Sequence, residues 1–113
     1  MTRAEVNALC AAHPGAGVSE PFGEGHEVWK VCGKIFAIVG TSTGAVSVKT
    51  DGIETAELLI EAGVATRAPY LHRSWVALPL NADPDELRHR VEASYRLIRA
   101  SLPRRVQAEL PPL

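Results

Sequence analysis

Two β-rich runs, His26–Val31 and residues 34–39, flank a two-residue gap, Cys32-Gly33. No other feature constrains the fold of this chain as strongly. A connection this short closes a hairpin only through a turn with positive φ, which Gly33 supplies at no steric cost. Strands joined by so short a turn must run antiparallel, because a parallel pair needs a crossover of a dozen or more residues.

The neighbouring segments extend the same sheet. A polar turn over 40–44 leads to Ala45–Lys49, where Val46 and Val48 alternate with Ser47 and Lys49. Residues 64–71 read as a fourth strand or an extended loop. Residues 74–80 read as a fifth strand, with Val76, Leu78 and Leu80 on one face and Trp75 and Ala77 on the other.

Helix signals punctuate these runs. Thr2-Arg3-Ala4-Glu5 is a capping box: the Thr2 hydroxyl accepts from the Glu5 amide, and the Glu5 carboxylate bonds back to Thr2. Val6, Leu9, Cys10 and His13 then follow at helical spacing, until Pro14-Gly15 stops the helix. Thr50 or Asp51 caps a second helix with Ala56, Leu59 and Ile60 facing inward, and Gly63 sits at its C′ position. Asp83-Pro84-Asp85-Glu86 opens a third, with a cap, a first-turn proline and two acids at the positive end of the dipole. Leu87, Val91, Ser94, Tyr95, Ile98 and Leu102 trace one stripe along it. Pro103 ends that helix or starts a short final turn, and a tail over 110–113 is expected to fray.

The element order is α-β-β-β-α-β-β-α. It predicts a two-layer α+β domain spanning residues 1–113, with a five-stranded antiparallel sheet and helices on one face. The other face is left partly open, or covered by a partner. At 113 residues and 46% apolar content, the chain is long enough to bury a core without disulfides or metal. Cys10 and Cys32 lack metal-site spacing and read as reduced core thiols. No segment reads as a membrane span or a signal peptide, so the expected location is the cytoplasm.

The net charge of −1 gives the whole molecule no attraction for a polyanion, but the charge is uneven along the chain. Residues 1–61 hold four basic residues against eight acids, and residues 62–113 hold eight arginines against five acids. Lys34, Lys49, Arg67, His72 and Arg73 are the candidates for a phosphate-contacting surface. The alternatives are a solvated surface of scattered ion pairs, or a pocket for a small anion with Arg67 or Arg73 as the fork. Trp75 could stack a nucleobase, or it could pack under a loop or at a dimer seam. Ser94-Tyr95 reads as structural, with the hydroxyl reaching a neighbouring strand or the i−4 carbonyl. Arg96, Arg99, Arg104 and Arg105 offset a helix dipole or extend a basic surface.

The four histidines show no i, i+4 pair, so neither a metal nor another cofactor is expected. No catalytic set is visible in the sequence. An enzyme would require Glu27, His72 and Tyr95 to converge in one cleft.

The chain also resembles the MmcQ/YjbR family of small bacterial domains. The resemblance rests on His13-Pro14-Gly15, Pro21-Phe22-Gly23, Val31-Cys32-Gly33-Lys34-Ile35-Phe36-Ala37 and Val46-Ser47-Val48-Lys49. It continues through Pro69-Tyr70-Leu71, Ser74-Trp75-Val76, Glu86-Leu87, Ser94-Tyr95-Arg96-Leu97-Ile98 and Leu102. It implies an α-β(3)-α-β(2)-α fold and DNA binding through a double wing formed by the hairpins. Here Glu24 and Glu27 stand beside Lys30 and Lys34, a departure from a basic wing. The expectation is a non-enzymatic binding protein with low-specificity DNA affinity, monomeric or homodimeric. The alternative is a module that binds a protein or small anionic ligand on the open sheet face near Trp75.

Overall fold

The computed structural model describes residues 1–21, 25–40 and 43–113. Helix α1 (Arg3–Ala11) starts at the predicted capping box, with both reciprocal Thr2–Glu5 bonds formed. Strands β2 (His26–Val31) and β3 (Lys34–Gly40) close around Cys32 and Gly33, whose φ values of 48° and 83° are the paired positive angles a two-residue hairpin needs. Strand β4 (Ala45–Lys49) follows, then helix α2 (Ile53–Glu61). At the end of α2, Gly63 takes φ 76° while its own N–H and that of Val64 bond back to Ile60 and Leu59, satisfying carbonyls the helix leaves orphaned.

The sheet has six strands where five were expected, in the order β1-β2-β3-β4-β6-β5, and every pairing is antiparallel. The additional strand is β1 (Ala16–Ser19), an edge strand paired with β2. Its sequence, Ala-Gly-Val-Ser, has one β-branched residue and a glycine, so nothing local marks it. At the other edge, the segment expected over 64–71 contributes only β5 (Thr66–Arg67), beside β6 (Trp75–Pro79). Thr41 and Ser42 of the polar turn expected over 40–44 lie outside the described residues, as do Glu24 and, from the family motif, Phe22 and Gly23.

Helix α3 (Pro84–Ala100) starts where Asp83 accepts from the Asp85 and Glu86 amides. Its predicted stripe is buried throughout and packs with α1 against β2, β3 and β4. A β-bulge shapes this contact. Trp29 pairs with Ala37 but Lys30 pairs with Ile35, so Phe36 is the extra residue, and both Phe36 and Ala37 turn into the core. Beyond the bulge the regular β3–β4 register ends at Ala37 and Val48. The Ser94 hydroxyl fills the gap: it donates to the Phe36 carbonyl at 2.6 Å and accepts from the Lys49 amide at 2.9 Å. A helix side chain thereby supplies bonds to two backbone groups where the regular ladder ends.

Helix α4 (Arg104–Glu109) closes the chain. Two contacts involve the start of the tail. Leu110 packs on the core, and the Pro111 carbonyl accepts from Arg99 Nη2 at 2.8 Å. Thr50 and Asp51 do not cap α2. Gly52 holds the cap position, because the Thr50 hydroxyl is drawn to the Ser74 carbonyl and Asp51 bonds Thr55. Cys10 is a buried free thiol, as expected, but Cys32 is exposed because the hairpin turn projects it.

Candidate functional site

The register sorts the sheet's side chains into two unequal faces. Trp29, Val31, Phe36, Val39, Val46, Val48, Val76 and Leu78 point into the core beneath the helices. By alternation the other face carries His26, Val28 and Lys30 from β2, Ile35 and Ile38 from β3, Ser47 and Lys49 from β4, and Trp75 and Ala77 from β6. Val28 and Ala77 are buried yet belong to no part of the helix-covered core. No helix crosses this second face among the described residues.

Charge follows the same division. Among the described strand residues, the uncovered face has Lys30 and Lys49 but no carboxylate. The described carboxylates lie on the helices, in the loops, or at Glu27, which turns inward to Arg3 and Asn7 of α1. Four of the eight arginines of the C-terminal half meet a carboxylate. Arg73 pairs with Glu57 at 2.9 Å, Arg88 with Asp85 at 2.8 Å, Arg90 with Glu86 at 3.4 Å and Arg96 with Glu92 at 3.0 Å. Arg99 is buried and spends its guanidinium on the Tyr95 hydroxyl and the Pro111 carbonyl.

The six candidate residues therefore do not form one surface. Lys34 lies at the hairpin end and donates to Ser101 Oγ at the end of α3, 3.3 Å away. Arg67 is on the edge strand opposite Val76, so it points to the helix side of the sheet. Arg73 faces α2 through Glu57. Lys49, His72 and Trp75 do gather: Lys49 and Trp75 are direct cross-strand partners on the uncovered face, and His72 lies in the loop just before β6.

Ser74 joins this group. It is only 2% exposed. Its hydroxyl lies 2.8 Å from Lys49 Nζ and 2.8 Å from His72 Nδ1, and its amide donates to the same Nδ1 at 3.1 Å. The Ser74 carbonyl accepts from both the Thr50 amide, at 2.8 Å, and the Thr50 hydroxyl, at 2.7 Å. Sequence reasoning placed Ser74 at a strand start and gave it no role. The only local signal was His-x-Ser spacing, which allows a side chain to bond the backbone two residues on. Two residues upstream of His72, Tyr70 is fully exposed and holds a φ of 65°, which is strained for a non-glycine residue.

Glu27, His72 and Tyr95 do not share a pocket. Each has its own partners: Arg3 and Asn7, Ser74, and Pro14 with Arg99, respectively. The perturbed titrating groups belong to the core. Burial pushes the Cys10 thiol up to about 12, with the nearby Glu27 charge adding to the shift. Burial also lowers the pKa of His13, whose ring stacks on Tyr95 with centroids 4.7 Å apart and whose Nε2 has no partner among the described residues. Among the described residues no group of three His, Cys, Asp or Glu side chains is placed to hold a metal ion, and no helix is long and apolar enough to cross a membrane.

A family model described as YjbR matches residues 11–97. The fold is similar to the crystal structure of Deinococcus radiodurans protein DR2400, a DUF419 domain, with a TM-score of 0.84 at 22% identity over 96% of this chain and 86% of that one. No curated protein matches the chain.

Proposed function

This chain belongs to the YjbR family, and from that premise and the two unequal sheet faces we propose a non-enzymatic binding module that takes a compact anionic ligand on the uncovered face beside Trp75. One observation carries the reading: the described part of that face holds Lys30 and Lys49 with no carboxylate, while the ion pairs lie along the helices and at the sheet's margins. Among the described strand residues, an anion docking there meets positive charge without a competing acid, and the Trp75 ring offers an apolar flank for its carbon skeleton. The separate partners of Glu27, His72 and Tyr95 support binding over catalysis. Two free thiols favour a reducing compartment such as the cytoplasm.

Low-specificity DNA binding is the second reading, supported by the same acid-free face. The pairing of Arg73, Arg88, Arg90 and Arg96 leaves this face few phosphate contacts. With Lys30 and Lys49 as the contacts, log affinity should fall against log salt with a slope of about −2.

The test is a backbone NMR titration of the full chain with acetate, inorganic phosphate and a short DNA duplex at two salt concentrations. Saturable shifts at Lys30, Lys49, Trp75 and Ala77 with a small anion are expected. Shifts confined to the helix layer, or no shift with any probe, would overturn the proposal. A response to duplex alone would replace the first reading with the second.

A further inference from the structure

Strand β1 lies at the sheet's edge, and two observations fix which of its main-chain groups are left open. The two-residue turn at Cys32-Gly33 makes Val31 and Lys34 a hydrogen-bonded pair, so the main-chain groups of Val31 face β3. By alternation Lys30 and Val28 face β1, where their partners are Gly17 and Ser19. Ala16 agrees with this phase: its N–H donates to the His13 carbonyl at 3.1 Å, not to β2. The N–H and C=O of Val18 and the C=O of Ala16 therefore point away from the sheet, and none of them has a partner among the described residues.

Soluble proteins ordinarily guard such an edge with a charge, a proline, a bulge or a very short strand. The β5 edge is guarded in this way: it is two residues long, carries Arg67 and is followed closely by Pro69. Strand β1 has no charged residue or proline, and its register with β2 is free of bulges. Val18 is 52% exposed, and no atom lies within 4 Å of where a Gly17 side chain would begin. We infer that β1 is the seam of a symmetric dimer, in which it pairs antiparallel with β1 of a second copy of this chain about a two-fold axis at Val18. In this register each Val18 N–H donates to the other Val18 C=O, and the two exposed valines cover one another. An axis at Gly17 would instead set Ala16 opposite Val18, and the Ala16 N–H is already spent on His13.

Charge favours a second copy as the occupant. Residues 16–19 are uncharged, so self-pairing sets no like charges directly opposite. Glu20 falls across from Ala16 of the other copy, which holds the two Glu20 carboxylates roughly 14 Å apart along the strands, beyond the ~8 Å screening length of physiological salt. Pairing β5 with itself would instead bring Arg67 opposite or beside its own copy. Directly opposite residues share a face, so both copies would turn their uncovered faces the same way. The dimer would then present one continuous surface with a Lys30 on each side of the seam, because Lys30 lies across from Gly17. The dimer does not depend on the anion reading above. A seam of one short strand is small, which places the association among weak, concentration-dependent ones.

Sedimentation velocity of the full chain, from about 10 μM to about 1 mM, should show a monomer–dimer equilibrium. A monomer throughout that range overturns the inference and leaves the edge to a foreign strand. Val18→Lys places two ammonium groups across the axis and should abolish the dimer, as should Val18→Glu. An equimolar mixture of the two variants should restore a dimer, since opposite charges then meet at the seam. A dimer that persists in Val18→Lys, or a mixture that stays monomeric, overturns the seam at Val18. A second measurement needs no variant: on dilution of the wild-type chain, amide shifts should move at Val18, Ser19 and Glu20 and stay fixed at Thr66 and Arg67. Movement at the β5 edge alone also overturns the inference.

Discussion

Two buried serines bond Lys49 and act differently. Ser94, on the covered side, bonds the Phe36 carbonyl and the Lys49 amide, both of them main-chain groups. Ser74, in the loop just before β6, bonds the side chains of Lys49 and His72. Both hydroxyls are withdrawn from water, but the first completes a ladder and the second orients groups that reach solvent. A buried hydroxyl that serves the backbone marks structure. One that serves ionisable side chains fixes where their donors and charge are held.

Substitutions can break this contrast, and the largest effect belongs to the covered side. Leu87→Ala empties a fully buried position under α3 and should cost about 3 kcal/mol in urea unfolding. A cost under about 1 kcal/mol would mean α3 does not form the core described here. Ser94→Ala follows at roughly 2–3 kcal/mol, since it orphans two buried backbone groups rather than one contact. If Ser94→Ala were neutral, the plug at the bulge would be incidental.

Ser74→Ala should cost only about 1 kcal/mol, because both partners it abandons can turn to water. Equal losses at the two serines would erase the distinction between them. The smallest expected effect is a pH slope from His13. Its folded pKa lies below the ordinary 6.5, so below that value the unfolded chain binds the extra proton. Stability should therefore be flat above pH 6.5 and decline as pH falls from there toward the folded value. His13→Phe should flatten that part of the urea-midpoint profile, and an unaltered slope would assign it to other groups.

Much of the covered side was legible because its signals are local. The Thr2–Glu5 box, the Cys32-Gly33 turn, the Asp83 cap and the stripe from Leu87 to Leu102 each lie within a few residues or one helical repeat, and each takes the expected form. Strand β1 escaped notice because its order comes from β2, not from its own Gly-containing sequence. Thr50 was misread as a cap because its hydroxyl answers to Ser74, distant in sequence and adjacent in space. The bulge at Phe36 is likewise a property of the pairing, seen only when two strands are laid together.

The candidate site divides in the same way. Sequence identified Lys49, His72 and Trp75 as residue types suited to an anion, alongside Lys34, Arg67 and Arg73, which the register places elsewhere. The amino-acid order by itself determined the helices, the hairpin and which side chains were apolar enough to be buried, because those follow from backbone sterics, capping and periodicity over short spans. Only the tertiary structure decided which cations meet a carboxylate and which meet Ser74, because Coulomb attraction and hydrogen bonding act through distance in space and are indifferent to separation along the chain.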